Sequence, residues 1–202
     1  MQEVLPKMAL DVFSAISDPG SLFETQPAQV WLEIGFGGGE HLAAQASANP
    51  NIGFLGCEPF INGAAKLVTA IHEMPLRNVR VHVGDAGELI DCLPAGSISR
   101  IYLLYPDPWP KRRQRKRRFI SDEMLTRLAR ILAPKGEIRF ATDIDDYAGW
   151  VLARILRSTE FCWSPVTAAS WTLPWQGWAG TRYEAKAIRE GRARAYFTFV
   201  RK

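Results

Sequence analysis

Cysteine is scarce in this 202-residue chain. Cys57, Cys92 and Cys162 are odd in number, far apart and without a C-x-x-C pair. That argues against a disulfide framework or a zinc site, and points to a reducing compartment, the cytoplasm. His41, His72 and His82 have no metal-ligand spacing, so no metal is expected. No run of eighteen apolar residues occurs, so no membrane-spanning helix is expected. Glu3, Pro6, Lys7 and Asp11 interrupt the first residues, which do not read as a secretory signal. Repeats and low-complexity tracts are absent, apart from one basic run. Apolar residues make up 47% and charged residues 23%, the balance of a chain that buries a core, and the length suits a single domain.

What is present is concentrated. Lys111-Arg112-Arg113-Gln114-Arg115-Lys116-Arg117-Arg118 holds seven basic residues in eight. The formal charge of the whole chain is +4, so without this octapeptide the chain would be net negative. Such a cluster reads phosphates. Self-repulsion predicts an extended, solvated segment until phosphates arrive.

From Val30 onward, apolar strands and amphipathic helices alternate. Strands are predicted at Val30–Ile34, Ile52–Cys57, Val79–Val83, Ile98–Tyr105 and Ile138–Ala141. Helices are predicted over Glu40–Ala48, over Phe60–Ile71, after Ser121 with the face Met124, Leu125, Leu128, Ile131 and Leu132, and around Val151–Leu156. That order gives an α/β domain, doubly wound, with a mostly parallel sheet and helices on both faces. The late alternation at Ala195–Val200 suits an added antiparallel strand. Residues 1–29 are weakly patterned, with one short helix expected through Met8, Val12, Ala15 and Ile16. Residues 30–202 form the domain.

Between the first strand and helix lies Glu33-Ile34-Gly35-Phe36-Gly37-Gly38-Gly39. Gly35 and Gly37 permit a tight turn and close approach to a ligand. The spacing is G-x-G-x-G rather than the dinucleotide G-x-G-x-x-G, and a carboxylate at Glu33 would repel a pyrophosphate but tolerate a sulfonium and an ammonium. S-adenosylmethionine is therefore favoured over NAD. Glu58, after the second strand, can accept both hydroxyls of a ribose. Asp85, after the third, can face an adenine amine. Both could equally be strand-end or N-cap acids.

Tyr105-Pro106-Asp107-Pro108-Trp109-Pro110 leaves the fourth strand and runs into the basic octapeptide. Three prolines make the loop stiff and extended, with Asp107 aimed into the cleft at the strand ends. Trp109 offers a face to a base or anchors the loop in the core. Asp143 could cap the next helix, and Thr181 and Glu184 have capping-box spacing. Trp171, Trp175 and Trp178 read as packing for the C-terminal segment.

Glu-Ile-Gly-Phe-Gly-x-Gly, Gly56-Cys57-Glu58, Gly84-Asp85-Ala86, Pro106-Asp107-Pro108-Trp109-Pro110-Lys111 and Thr181-Arg182-Tyr183-Glu184 together resemble the bacterial tRNA (guanine-N7-)-methyltransferases. The resemblance runs from Val30 to the C-terminus and implies a Rossmann-like class I methyltransferase fold acting on tRNA in the cytoplasm. It implies that Glu33, Gly35, Gly37, Glu58, Asp85 and Asp107 bind S-adenosylmethionine and that Asp107 is also catalytic. It implies that Lys111 contacts the substrate, that residues 113–118 (Arg113, Arg115, Lys116, Arg117 and Arg118 among them) lie along the RNA, and that Asp143, Thr181, Arg182, Tyr183 and Glu184 complete the substrate pocket. Gln114 stands where the family usually has His. The N-terminal extension common in the family is short in this chain, which leaves part of the RNA grip either missing or carried elsewhere.

Two other readings fit parts of the pattern. Asp107-Pro108-Trp109 partly matches the Asp/Asn-Pro-Pro-aromatic loop of adenine amino-group methyltransferases. A non-catalytic RNA-binding module on the same fold is the other, and the intact set of carboxylates and glycines disfavours it.

Overall fold

A computed structural model describes residues 8–10, 12, 15–74 and 76–202. Its centre is one seven-stranded sheet in the order β3-β2-β1-β4-β5-β7-β6. The strands are β1 (Val30–Ile34), β2 (Gly53–Cys57), β3 (Val79–His82), β4 (Ile98–Leu104), β5 (Leu132–Thr142), β6 (Phe161–Cys162) and β7 (Ala195–Arg201). β1 to β5 are mutually parallel, with Leu32 opposite Leu55 on one side and Ile101 on the other. β7 runs antiparallel between β5 and β6, as the C-terminal alternation predicts. Every residue of β1 and β2 is buried, the mark of strands covered on both faces.

The helices are α1 (Glu40–Ala48), α2 (Ile61–Glu73), α3 (Ala86–Cys92), α4 (Asp122–Ile131), α5 (Asp145–Arg157), α6 (Ala169–Thr172) and α7 (Arg182–Arg189). Leu42, Ala43 and Ala46 of α1 and Ala64, Leu67 and Ile71 of α2 pack on one sheet face, with Tyr102, Tyr105 and Tyr196. Leu89 and Ile90 of α3, Leu125 and Leu128 of α4, and Tyr147, Val151 and Ile155 of α5 cover the other. Ser121 caps α4 as expected, accepting from the Met124 N–H at 3.0 Å.

Several local expectations need correction. Leu132, expected on the α4 face, is the first residue of β5, where it pairs with Ile98. Val12, Ala15 and Ile16 are not helical, and the remainder of that expected helix lies partly outside the described residues. Ala9 instead makes a parallel bridge to Val81. The basic octapeptide is not extended: Arg112–Arg117 form a 3-10 helix. Among the described residues no helix is long and apolar enough to cross a membrane.

Between β1 and β4 the chain reverses its direction of sheet growth. Such a switch point leaves a crevice at the carboxyl ends of the strands, where ligands of open α/β sheets bind.

Candidate active site

A cavity of about 450 Å³ opens at that crevice, within the range that encloses a small-molecule ligand. Its wall includes Gly35 and Gly37 after β1, Cys57 and Glu58 at the end of β2, Asp85 after β3 and Asp107 after β4. Gly35 and Gly37 take φ of 72° and 57°, which L side chains rarely adopt. A Cβ on Gly35 would meet nothing within 4 Å, so the backbone there is bare toward the opening. Glu58 is buried and staples the loop: its Oε2 accepts from the Gly37 N–H at 2.8 Å and its Oε1 from the Phe60 N–H at 3.1 Å. Each carboxylate oxygen has two acceptor sites, so capacity remains. Asp85 caps α3 through Oδ1, accepting from Gly87 at 2.7 Å. Asp85 is thus an N-cap, and it also lines the cavity.

Cys57 and Tyr105 also line the cavity. Burial, then the nearby Asp85, Glu58 and Glu88, pushes the Cys57 thiol up to about 12. Burial likewise raises the Tyr105 phenol. Both stay protonated at neutral pH, so neither adds a negative charge to the cavity.

The aspartate loop is stiff but not extended. Tyr105 and Trp109 sit at φ of 51° and 42°, left-handed positions that cost a non-glycine residue energy and persist only where the surroundings enforce them. Asp107 is exposed in the cavity wall and makes no hydrogen bond or ion pair with the described residues. Trp109 is half-buried at the mouth, with the Arg117 guanidinium 5.0 Å from its ring centroid, rather than anchored in the core.

Arg118 departs most from the expectation of an RNA-facing run. Its side chain is 0% exposed. Its Nε donates to the Pro108 carbonyl at 2.8 Å, its Nη2 pairs with Asp146, and its guanidinium lies 5.0 Å from the ring centroids of both Tyr147 and Trp150. Arg115 pairs with the other Asp146 oxygen at 2.7 Å. Asp146, in the first turn of α5, therefore gathers two cations and offsets the self-repulsion that would have extended the segment. Arg112, Arg113, Lys116 and Arg117 remain exposed.

The Arg118 hydrogen bond, with the charges of Arg118 and Arg115, holds the Asp146 carboxyl below the usual carboxylate range. A depressed folded value stabilises the fold above the unfolded value and stops doing so as pH falls through the folded one. The expected outcome is that Asp146→Asn lowers Tm at pH 7, and that the difference shrinks through the region below about pH 4. Thermal melts of both proteins at stepped pH check it.

The family model described as "Putative methyltransferase" matches residues 27–196. A protein of Mesorhizobium japonicum named tRNA (guanine-N(7)-)-methyltransferase is 55% identical over 93% of this chain and 81% of its own length. One of Agrobacterium fabrum with the same name is 49% identical over 100% of this chain and 88% of its own length. The chain belongs to the bacterial tRNA (guanine-N7-)-methyltransferase family. Among solved structures, the 16S rRNA methyltransferase KamB shares the fold at a TM-score of 0.59 with 16% identity, over 93% of this chain and 95% of that one. TrmN from Thermus thermophilus does so at 0.58 with 15% identity, over 87% of this chain and 45% of that one.

The residues that the family resemblance singles out do not all meet in the cavity of this member. Glu33 lies behind the glycine loop, buried, 2.7 Å from the His41 Nδ1. It lines a small neighbouring recess with Thr181, Arg182 and Tyr183. Asp143 is not a cap, because Ile144 holds that position; its Oδ2 accepts from Arg192 Nε at 2.6 Å. Thr181 caps α7, accepting from the Glu184 N–H at 3.0 Å. Glu184 does not complete a capping box: its carboxylate accepts from Trp178 at 2.7 Å and from the Tyr196 hydroxyl. Arg182 and Tyr183 do reach the cavity wall. Trp175 and Trp178 pack on Tyr196, as expected of the C-terminal tryptophans.

Sequence reasoning missed Phe60, Asn62 and Lys66, which α2 brings to the cavity. A signal existed in Gly63, a glycine inside a helical pattern. A Cβ there would collide with the Gly37 carbonyl, so Gly63 lets α2 close on the glycine loop.

Proposed function

We propose that this chain transfers a methyl group from S-adenosylmethionine to N7 of a guanine in tRNA, with Asp107 as the catalytic residue. The observation that carries this reading is the convergence of Glu58, Asp85 and Asp107 on one cavity beside a basic segment. The residues fit the donor. Backbone bare at Gly35, unused acceptor capacity on Glu58, and an Asp85 with only Oδ1 engaged suit a nucleoside. Glu33 would act on the donor from behind the glycine loop. When bound, S-adenosylmethionine supplies an electrophilic methyl group on sulfur.

N7 of guanine carries a lone pair and no proton, so no general base is required. The work left to the protein is orientation and charge. Asp107 accepts hydrogen bonds from the guanine edge and offsets the positive charge that the ring gains. Trp109 and Tyr183, flat surfaces at the mouth, limit where that ring can lie. Lys111, Arg112, Arg113, Lys116 and Arg117 hold the RNA through phosphates. Asp143, held by Arg192, stands outside the cavity wall and is given no step in the transfer. Action on tRNA sets the cytoplasm as the working compartment.

The deciding experiment incubates the protein with bulk tRNA and labelled S-adenosylmethionine, then identifies the labelled nucleoside. N7-methylguanosine is expected; N6-methyladenosine, or no label, overturns the reading. A second expectation concerns the basic segment. Neutralising Arg112, Arg113 and Lys116 to Gln should flatten the log Kobs against log[salt] slope for tRNA by about 2 to 3, at roughly 0.7 to 0.9 per lost phosphate contact. Anisotropy titrations across a salt series measure it.

A further inference from the structure

The basic octapeptide covers only one flank of the cavity mouth. Through Arg118 it is bolted to Tyr147 and Trp150 of α5, on the sheet face that carries α3 and α4. A strand of RNA whose guanine enters the cavity must continue on both sides of it, and the other flank is α7. That helix packs through Glu184 on Trp178 and Tyr196, on the opposite sheet face.

α7 carries Arg182, Lys186 and Arg189 at positions i, i+4 and i+7. Those positions fall on one side of a helix, and the row spans about 10 Å at roughly 1.5 Å per residue. All three residues are exposed. Arg182 starts the row in the cavity wall itself, near Gly37. The row has little to neutralise it. Arg182 donates to the Tyr183 hydroxyl, a neutral group, at 3.0 Å. Lys186 stands 4.0 Å from a Glu190 oxygen, while Glu190 also makes a closer pair with Arg192. Arg189 has no hydrogen bond or ion pair among the described residues. Elsewhere on the molecule, arginines such as Arg100, Arg127, Arg157 and Arg192 are matched to carboxylates.

We propose that Lys186 and Arg189 of α7, continuing from Arg182, form a second phosphate-binding rim, so that RNA crosses the mouth between α7 and the Arg112–Arg117 turn. The proposal rests on an RNA substrate but not on the atom that is methylated. The rim reads charge along the strand and not base identity. It supplies grip without touching the reacting atoms.

The test is the double variant Lys186→Gln/Arg189→Gln in the full chain, titrated with bulk tRNA by anisotropy over a salt series. The expected result is a tRNA Kd raised about tenfold at low salt and a salt slope shallower by about 1.4 to 1.8, the value for two phosphates. At saturating tRNA, kcat stays at the parent value, and the thermal shift given by S-adenosylhomocysteine is unchanged. A control variant, Arg77→Gln/Lys135→Gln, removes two exposed charges away from the mouth and should leave the slope alone. An unchanged slope in the α7 variant overturns the proposal, and so does an equal change in the control, which would make the effect one of net charge. Because binding is read without turnover, failure to methylate tRNA would strike the proposed reaction and leave the rim to be judged by its slope.

Discussion

Asp107→Asn lowers kcat on tRNA by roughly 10²-fold, the scale seen when one preorganised electrostatic partner of a transition state is removed. What decides the size of the effect is where charge develops. Asn keeps the size and one acceptor of Asp but loses the negative charge, so it still fills the cavity wall while failing to offset a ring that becomes cationic. Affinity for S-adenosylhomocysteine should change by less than about threefold, because Glu58 and Asp85 remain. Single-turnover rates and calorimetric titration separate the two quantities. Equal losses in both would reduce Asp107 to a binding residue.

Arg118→Met gives the second large effect, and in the opposite pattern to that of its neighbours. The side chain matches in length but leaves the Pro108 carbonyl without its donor and Asp146 with Arg115 alone. Losing a charge-assisted hydrogen bond in a buried site costs about 2 kcal/mol, and Tm should fall by about 4–8 °C for a chain of this size. Pro108 follows Asp107 directly, so the aspartate loop loosens and kcat falls about tenfold, as expected when a catalytic group drifts from its place. The salt slope for tRNA, in contrast, stays at the parent value, since a fully buried guanidinium contacts no phosphate. Arg118→Lys, which keeps the charge but not the fork, should recover stability only in part. A flattened slope with unchanged kcat would return Arg118 to the RNA surface.

Much of this was legible before the fold. Periodicity located β1 and α1 to the residue, and Ser121 declared the start of α4, because short-range chemistry decides those features. The glycine turn and the carboxylates Glu58, Asp85 and Asp107 were legible because each closes a parallel strand, and parallel strands align their carboxyl ends. The inward turn of Arg118 was not. Nothing in seven like charges singles out the one that meets Asp146, which lies 28 residues along the chain. The same holds for Asp143, whose partner Arg192 is 49 residues away. Long-range pairing decides these, and spacing along the chain carries no trace of it.

Gly63 imposes a trade on α2. Glycine is the poorest helix former short of proline, and alanine would serve the helix better at this position. Alanine is barred because its methyl would occupy the space of the Gly37 carbonyl. The close approach of α2 to the glycine loop therefore depends on a hydrogen atom, and tertiary packing overrides local folding preference at one residue in the first turn of the helix. Attempts to stabilise this enzyme by filling helices with better formers should leave that residue alone.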